Sequence, residues 1–436
     1  MKRKWISLSM AAALSAALMA GAVPVMAGEE AAGEKVSITY LSRYVNPELV
    51  RAGYYLEKLE QFKEENPDIE VEDISIGDDS EAFKAKINAG VASGDLPDLF
   101  IANNGFPLSE WVENGLVADL TDLVKSEEWT GPSADAMLEA FTFDGKVYGV
   151  PNALNTGQVF VNTKLLKEQG IEEVPRSWDA IEAVSDKLNE NGVVPFGVAA
   201  KSKAEVGRFI SALSCMMYGT QFRDDLANKT INWDSEECRA LLDQFTKFID
   251  EKVLDPNAVS YEVQDTISLF EQGKVAMMYT AAYHFDRFQE MEFSDDIVCI
   301  NFPYFEDKPE NKDIWIASAS EGFMISSKPG TPEFDAACKL LSFMLSADTF
   351  AGYAEVNGGG VFPLDFEFDL SKAKNVVGSF MKEFQERTDT TDEFTAYLNN
   401  ASLVDATRTE LQSLFVGRTA EDVCETLTAQ YEKEGW

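Results

Sequence analysis

FDGKVYGVPNALNTGQVFVNTKLL, residues 143–166, is the stretch on which the reading of this chain turns. Asp144-Gly145 is a tight-turn pair. A short aromatic and aliphatic strand follows over 146–150. Pro151 comes next, then a patch of small polar residues: Asn152, Asn155, Thr156 and Gly157. A second strand over 158–161 leads through Asn162-Thr163 into a helix. A connection inside one domain needs only a turn here, so the polar patch asks for another reason.

Outward from this stretch the chain alternates strands and helices. Residues 36–41 (VSITYL) form a β-branched, apolar strand. Residues 49–65 carry Tyr55, Leu56, Leu59 and Phe62 at helical spacing, and Asn66-Pro67 ends that helix. Residues 69–76 alternate as a strand, 80–92 form a helix, and 98–102 a third strand. This β-α-β-α-β order predicts an α/β protein with a parallel, helix-covered sheet. Further helices are expected at 177–189, with Ser177 as N-cap, and at 235–250, 263–272 and 331–346. Strands are expected at 195–199, 275–280, 297–302 and 322–326, and the tail from 372 reads as mostly helical. There is no internal repeat and no Gly/Ser linker, so any two domains are joined by strands rather than a tether.

The first residues read as a processing signal. Lys2, Arg3 and Lys4 precede a small, apolar run that Pro24 ends, and Val25-Met26-Ala27 suits a signal peptidase. Residues 1–27 are therefore expected to be a signal peptide, and the run is short for a membrane anchor. No cysteine lies near the cleavage site, so no lipid attachment is expected. The location is extracytoplasmic, either periplasmic or secreted. About 409 residues then remain, room for two or three domains. Losing the three basic residues takes the formal charge from -38 to -41. A chain this acidic repels nucleic acid and anionic membranes.

Cysteine and histidine usage removes further classes. The five cysteines form no CxxC pair and match no zinc spacing, and their odd number leaves at least one thiol free. Cys215 and Cys338 sit in apolar helical context and read as small buried hydrophobes. His284 is the one histidine, and no GxSxG elbow accompanies it. No nucleotide-binding glycine motif is present. No cofactor, metal or catalytic residue is called for.

Ligands of open α/β sheets bind beyond the carboxyl ends of strands. That rule selects Arg43 and Tyr44 after the first strand, Asn103 and Asn104 after the third, and Asn155 in the quoted stretch. It also selects Tyr283 after 275–280, the segment 315–321 with Trp315 and Glu321, and Gly359, Gly360 and Phe362 in a glycine-rich loop. Arg208 is a further candidate cation. Amides, hydroxyls, charged groups and aromatic faces together are the set that neutral polyols use. Each residue also has an ordinary reading. Tyr44 and Tyr283 could cap a core, Asn103-Asn104-Gly105 is a good turn in itself, and His284 reads as a local hydrogen-bonding residue. Trp111, Trp178 and Trp233 read as packing.

At this point the chain resembles a known family, the extracellular solute-binding proteins (family 1) of ABC sugar importers. The segments that carry the resemblance run in order along the chain: LPDLFIANNG, GLVADLTD, the quoted stretch continuing to VPRSWDAIEAVSDKL, LFEQGKVAMMYTAAYHFDRF, and EGFMISSKPGTPEFDAACKLLSFMLSADTFAGYAEVNGGGVFP. The resemblance implies a two-lobed periplasmic-binding-protein fold, each lobe a helix-flanked mixed sheet, joined by a multi-strand hinge. Residues 149–156 would then be the first crossing between lobes, with returns near 298–302 and 326–328. Lobe one would hold 28–150 and about 300–330, and lobe two 151–299 and about 331–436. Tyr283 stands where the family often has a tryptophan after a glycine; here Ala281-Ala282 precede it. Gly359, Gly360 and Phe362 match the family's glycine-rich return loop.

The expectation is a non-catalytic, monomeric receptor that binds a sugar or oligosaccharide and delivers it to the transmembrane subunits of an ABC permease. Tyr283 would stack on the ligand, and Arg43, Asn103, Asn155 and Glu321 would bond its hydroxyls. Three alternatives stand beside it. A receptor of the same fold for another solute would show clustered acids for a polyamine, or Arg43 and Arg208 converging for an anion. A secreted carbohydrate-active enzyme needs two carboxylates facing each other at catalytic separation. A glycan-adhesion protein would have no permease partner.

Overall fold

The computed structural model describes residues 35–77, 80–103, 107–395, 398 and 400–435. The expected signal peptide, 1–27, lies outside the described residues. The strands β1 (Val36–Leu41), β2 (Ile69–Asp73) and β3 (Leu99–Asn103) pair in parallel, as the alternating pattern predicts, and stand in the order β2-β1-β3. The helix Val50–Glu65 forms because Ala52, Tyr55, Leu59 and Phe62 fall on one buried face. It stops at Asn66, whose amide donates to the Phe62 carbonyl at 2.8 Å just before Pro67.

The quoted stretch opens on the expected turn. Asp144 and Gly145 take positive φ, +49° and +72°, and close a hairpin between β4 (Thr142–Phe143) and β5 (Lys146–Val147). Beyond that hairpin the chain departs from the expectation of two strands and a polar connection. β6 (Val150–Asn162) is one strand of 13 residues, with the polar patch inside it. Asn162 then caps the helix Thr163–Glu168 by accepting from the Leu165 amide. Ser177 and Thr331 cap their helices in the same way.

The remaining strands are β7 (Val194–Gly197), β8 (Val275–Ala281), β9 (Ile297–Ile300), β10 (Ile314–Ile325) and β11 (Asp389–Thr391). The first half of β6 pairs antiparallel with β10, from Val150↔Phe323 to Thr156↔Ala317. The second half pairs with β8 and β9, from Gly157↔Ala281 onward. β10 in turn pairs with β3 through Glu321–Ile325. Two long strands thus belong to both halves of one mixed sheet, β2-β1-β3-β10-β6-β8-β7, with β9 on β6 and β11 on β10. The register of β10 against β6 breaks on either side of Glu321, at the point where one lobe gives way to the other.

The boundaries expected from the sequence shift accordingly. Residues 315–321, expected as a loop, are strand, and the return to the first lobe runs through β10 rather than near 298–302. The helices Pro332–Met344 and Ala347–Asn357 pack on β1 and on the Val50–Glu65 helix. They belong with the first lobe and not, as expected, with the second. The next helix, Asn375–Gln385, packs on β9, so the last crossing lies between 357 and 375 rather than near 326–328.

One core gathers β1, β3 and the helices around them and runs on beneath β8 and β9. The other lies on the opposite face of the second half-sheet, around Trp178, Phe209, Phe245 and Trp233. Trp111, Trp178 and Trp233 are buried packing residues, as read. All five cysteines are free. Among the described residues no helix is long and apolar enough to cross a membrane.

Candidate functional site

Polar side chains collect where the two lobes share β6 and β10. On the first-lobe side, Arg43 follows β1 and donates to Asn103 Oδ1 at 3.1 Å, its guanidinium 4.5 Å above the Phe83 ring. Arg51, in the first turn of the Val50–Glu65 helix, donates to the Asn152 carbonyl at 3.1 Å and to Glu321 at 3.2 Å. Asn152 donates to the Tyr44 hydroxyl at 2.8 Å and to Glu321 at 3.2 Å. Tyr44 stacks on Tyr55, centroids 4.7 Å apart. Burial holds the Tyr44 phenol far above its ordinary range against the opposing charge of Arg51, so it stays neutral. This network ties the β1 loop, β6 and β10 together at the register break.

On the second-lobe side, Glu205 and Arg208 sit one turn apart on the helix Lys203–Tyr218 and pair with each other. Glu205 also accepts from the Thr280 hydroxyl at 3.1 Å. Arg208 lies 3.4 Å from Glu393, which accepts from Arg408 at 2.7 Å. Burial opposes the charge on Arg208, but Glu205 and Glu393 outweigh it and the guanidinium stays protonated. Beside this network Tyr283 is 64% exposed, an open aromatic face. Partial burial raises its phenol and Glu205 adds to the effect, while Arg208 opposes it. The Tyr283 ring lies 4.4 Å from that of His284. Burial lowers the His284 imidazole below its ordinary 6.5, which leaves it neutral at pH 7.

Between these groups run the shared strands. Asn155 and Ser318 face each other across β6 and β10. Asp392 interacts with Ser318 and Arg223, and accepts from the Glu393 amide at 2.7 Å. Arg223 forms a two-pronged ion pair with Glu139, at 2.9 and 3.2 Å.

Of the residues selected from sequence, the structure brings Arg43, Asn103, Tyr44 and Glu321 to one side of the shared strands and Arg208 and Tyr283 to the other, with Asn155 between. Asn104 lies outside the described residues. Four selections are corrected. Trp315 is 1% exposed and meets Phe380 and Phe384 edge-on, a core residue with no free face. Phe362 is buried among Phe350, Tyr353 and Phe366. Gly359 has φ +97°, and a Cβ there would meet Val377 and Met381 at 2.9 Å. At Gly360 a Cβ would meet the Phe362 ring at 2.5 Å. Gly359 thus lies tight against the Asn375–Gln385 helix, and Gly360 against the Phe362 ring.

The sequence reading missed Arg51, Glu205, Glu393, Arg408, and the pair Arg223 and Glu139. Glu205 and Arg208 did leave a signal, an acid and a base one turn apart in an otherwise apolar helix. Glu393 and Arg408 left none, because their partners are distant in sequence.

Known proteins resemble this chain in sequence and in fold. The family model described as "Bacterial extracellular solute-binding protein" matches residues 46–349. A Brucella abortus (strain 2308) chain that carries a binding-protein name is 26% identical over 290 residues, 66% of this chain and 66% of that one. The match thus spans just under two thirds of the length of such relatives. A family 1 extracellular solute-binding protein from Bifidobacterium longum subsp. infantis superposes with TM-score 0.74 at 19% identity, over 92% of this chain and 100% of that one. An ABC substrate-binding protein from Listeria monocytogenes, in complex with cycloalternan, superposes with TM-score 0.64 at 21% identity, over 92% and 100%. The chain belongs to the bacterial extracellular solute-binding protein family, and its two-lobed fold is the fold of those structures. That family consists of binding proteins, not enzymes.

Proposed function

We propose that this solute-binding protein is the extracytoplasmic receptor of an ABC importer. It takes a neutral sugar or short oligosaccharide between its lobes and delivers it to the transmembrane subunits. The observation that carries the reading is local charge balance. Around β6 and β10 the guanidiniums of Arg51, Arg208, Arg223 and Arg408 meet the carboxylates of Glu139, Glu205, Glu321, Asp392 and Glu393, and a fifth guanidinium, Arg43, turns to Asn103, so five bases stand against five acids. The chain as a whole carries -38. A site for a polyamine needs a surplus of acids and one for an organic anion a surplus of bases. Arg43 and Arg208, whose convergence would favour an anion, turn instead to Asn103 on one side and to Glu205 and Glu393 on the other.

The exposed face of Tyr283 suits the apolar face of a sugar ring, and paired charges and amides suit its hydroxyls. Asn155 Oδ1 and Asn152 Oδ1 are buried with no partner among the described residues, and each can accept from a hydroxyl. The bound cycloalternan of the Listeria structure is an oligosaccharide, which supports the same ligand class.

The test is thermal unfolding of the mature protein against mono- and oligosaccharides, with amino acids, peptides and polyamines as controls. A ligand that binds only the folded state raises stability by about 2.7 kcal/mol at a hundred times its dissociation constant. A shift with a glycan and no product formed is the expected result. Shifts confined to a control class would overturn the sugar assignment and leave the family untouched.

A further inference from the structure

We propose that Arg223 and Glu139 are a latch between the lobes that sets how long a bound solute is held. The inference rests on the receptor reading above and concerns the regulation of the same site. Glu139 belongs to the first lobe: it precedes β6, the first strand to cross between the lobes, and nearby Phe141 packs under Gly149 and Gly322. Arg223 belongs to the second: Phe222 and Leu226, on the same short helix Gln221–Ala227, lie in the second core. The segment Asp135–Leu138 touches both β6 and β10, so the pair bridges the lobes right beside the strands they share.

The pair is built for a defined geometry. Two parallel N–H···O contacts fix the carboxylate in the plane of the guanidinium. The Arg223 side chain is only 16% exposed, while Glu139 is 56% exposed. Arg223 also lies in the field of Asp392, which touches β10 at Ser318. The arginine is therefore anchored in its own lobe, and Glu139 is the arm that reaches across. A change in the angle between lobes separates two groups rooted in different cores. The contact stabilises one arrangement alone and shifts the population toward it. Neither residue needs to touch the solute; both act on its release through the lobe angle.

The test uses R223Q, E139Q and the double variant in the full mature chain. Stopped-flow dissociation is measured with the glycan that gives the largest thermal shift, and small-angle scattering on the solute-free protein. Each single variant is expected to speed dissociation by about threefold to tenfold, the span of a favourable, partly exposed ion pair. Association should change by less than about twofold. The double variant should be no faster than R223Q alone, because the pair is one interaction, and R223K should recover part of the loss. Solute-free R223Q and E139Q should both show a larger radius of gyration than the parent. Unchanged dissociation in both single variants, or fully additive effects, would overturn the latch. If no glycan in the panel binds, the receptor reading for sugars fails instead, and the scattering still decides the latch: an unchanged radius sinks it.

Discussion

Asp392 is a carboxylate kept where its charge is poorly solvated. Burial raises it from 3.8 to about 6, and Glu393 adds to the rise, while the Glu393 amide, Ser318 and Arg223 offset part of it. The folded protein thus holds this proton more tightly than the unfolded chain does. The stabilisation is fully present below about pH 3.8 and is lost as pH rises through about 6. Asp392→Asn should accordingly raise stability at about pH 7.5 by on the order of 1–3 kcal/mol and leave it nearly unchanged at about pH 4. Urea unfolding at the two pH values checks this, and an equal gain at both would contradict it. Tyr283 makes the opposite kind of prediction, because it is exposed and holds little of the fold together. Tyr283→Ala should weaken glycan binding by about tenfold, the worth of a stacked ring, with the melting temperature unmoved. Tyr283→Phe should keep most of the affinity in the same titration. Tyr283 was legible in sequence because it closes a strand, where ligand loops begin. Glu393 was not, since its meaning lies in Arg208 and Arg408, which only the folded chain brings to it.

The element that decides the architecture is β6, and its centre is Gly157. A Cβ there would collide with the hydroxyl of Tyr279, which is itself buried with no partner among the described residues. Gly157→Ala should therefore destabilise the protein by about 1–3 kcal/mol through overpacking. Part of that cost should vanish in a Tyr279→Phe background, where the nearest colliding atom is gone, while ring carbons 2.5 and 3.0 Å from the added Cβ keep the rest. A double-mutant cycle by chemical denaturation measures the coupling, and simple additivity would show that the contact is not the cause. The same strand shows how far sequence reading reaches. The turn at Asp144-Gly145, the parallel pairing of β1, β2 and β3 and the Ser177 cap were legible, because each is written in the pattern of nearby residues. The continuity of β6 through Asn152–Gly157 and of β10 through Ala317–Ser320 was not. Small polar residues carry little strand propensity of their own, and most of these positions are strand because a neighbouring strand pairs with them. The helices over 332–357 went to the wrong lobe for a related reason: an amphipathic pattern says that a face is buried, not which sheet buries it.

At the scale of the whole molecule two charge distributions coexist. The chain carries -38 overall, while the charges around the shared strands balance. These respond differently to salt. Dispersed like charges repel over distances near the Debye length, about 30 Å at 0.01 M and about 10 Å at 0.1 M. Raising sodium chloride from about 0.01 M to about 0.2 M should therefore raise the melting temperature by a few degrees, as self-repulsion of the folded state is screened. A neutral ligand meets no net field in a balanced site, so its affinity should change by no more than about threefold over the same range, the remainder coming from the partly exposed Arg223–Glu139 contact. A polyamine would behave otherwise: drawn by the acidic surface, it should lose affinity by an order of magnitude or more as salt rises. Calorimetric titrations at three salt concentrations, run beside thermal melts on the same samples, separate the two effects. A melting temperature that climbs while the dissociation constant stays flat is the result a neutral solute predicts. A dissociation constant that rises steeply with salt would mean that the solute is charged and that the local balance does not govern recognition.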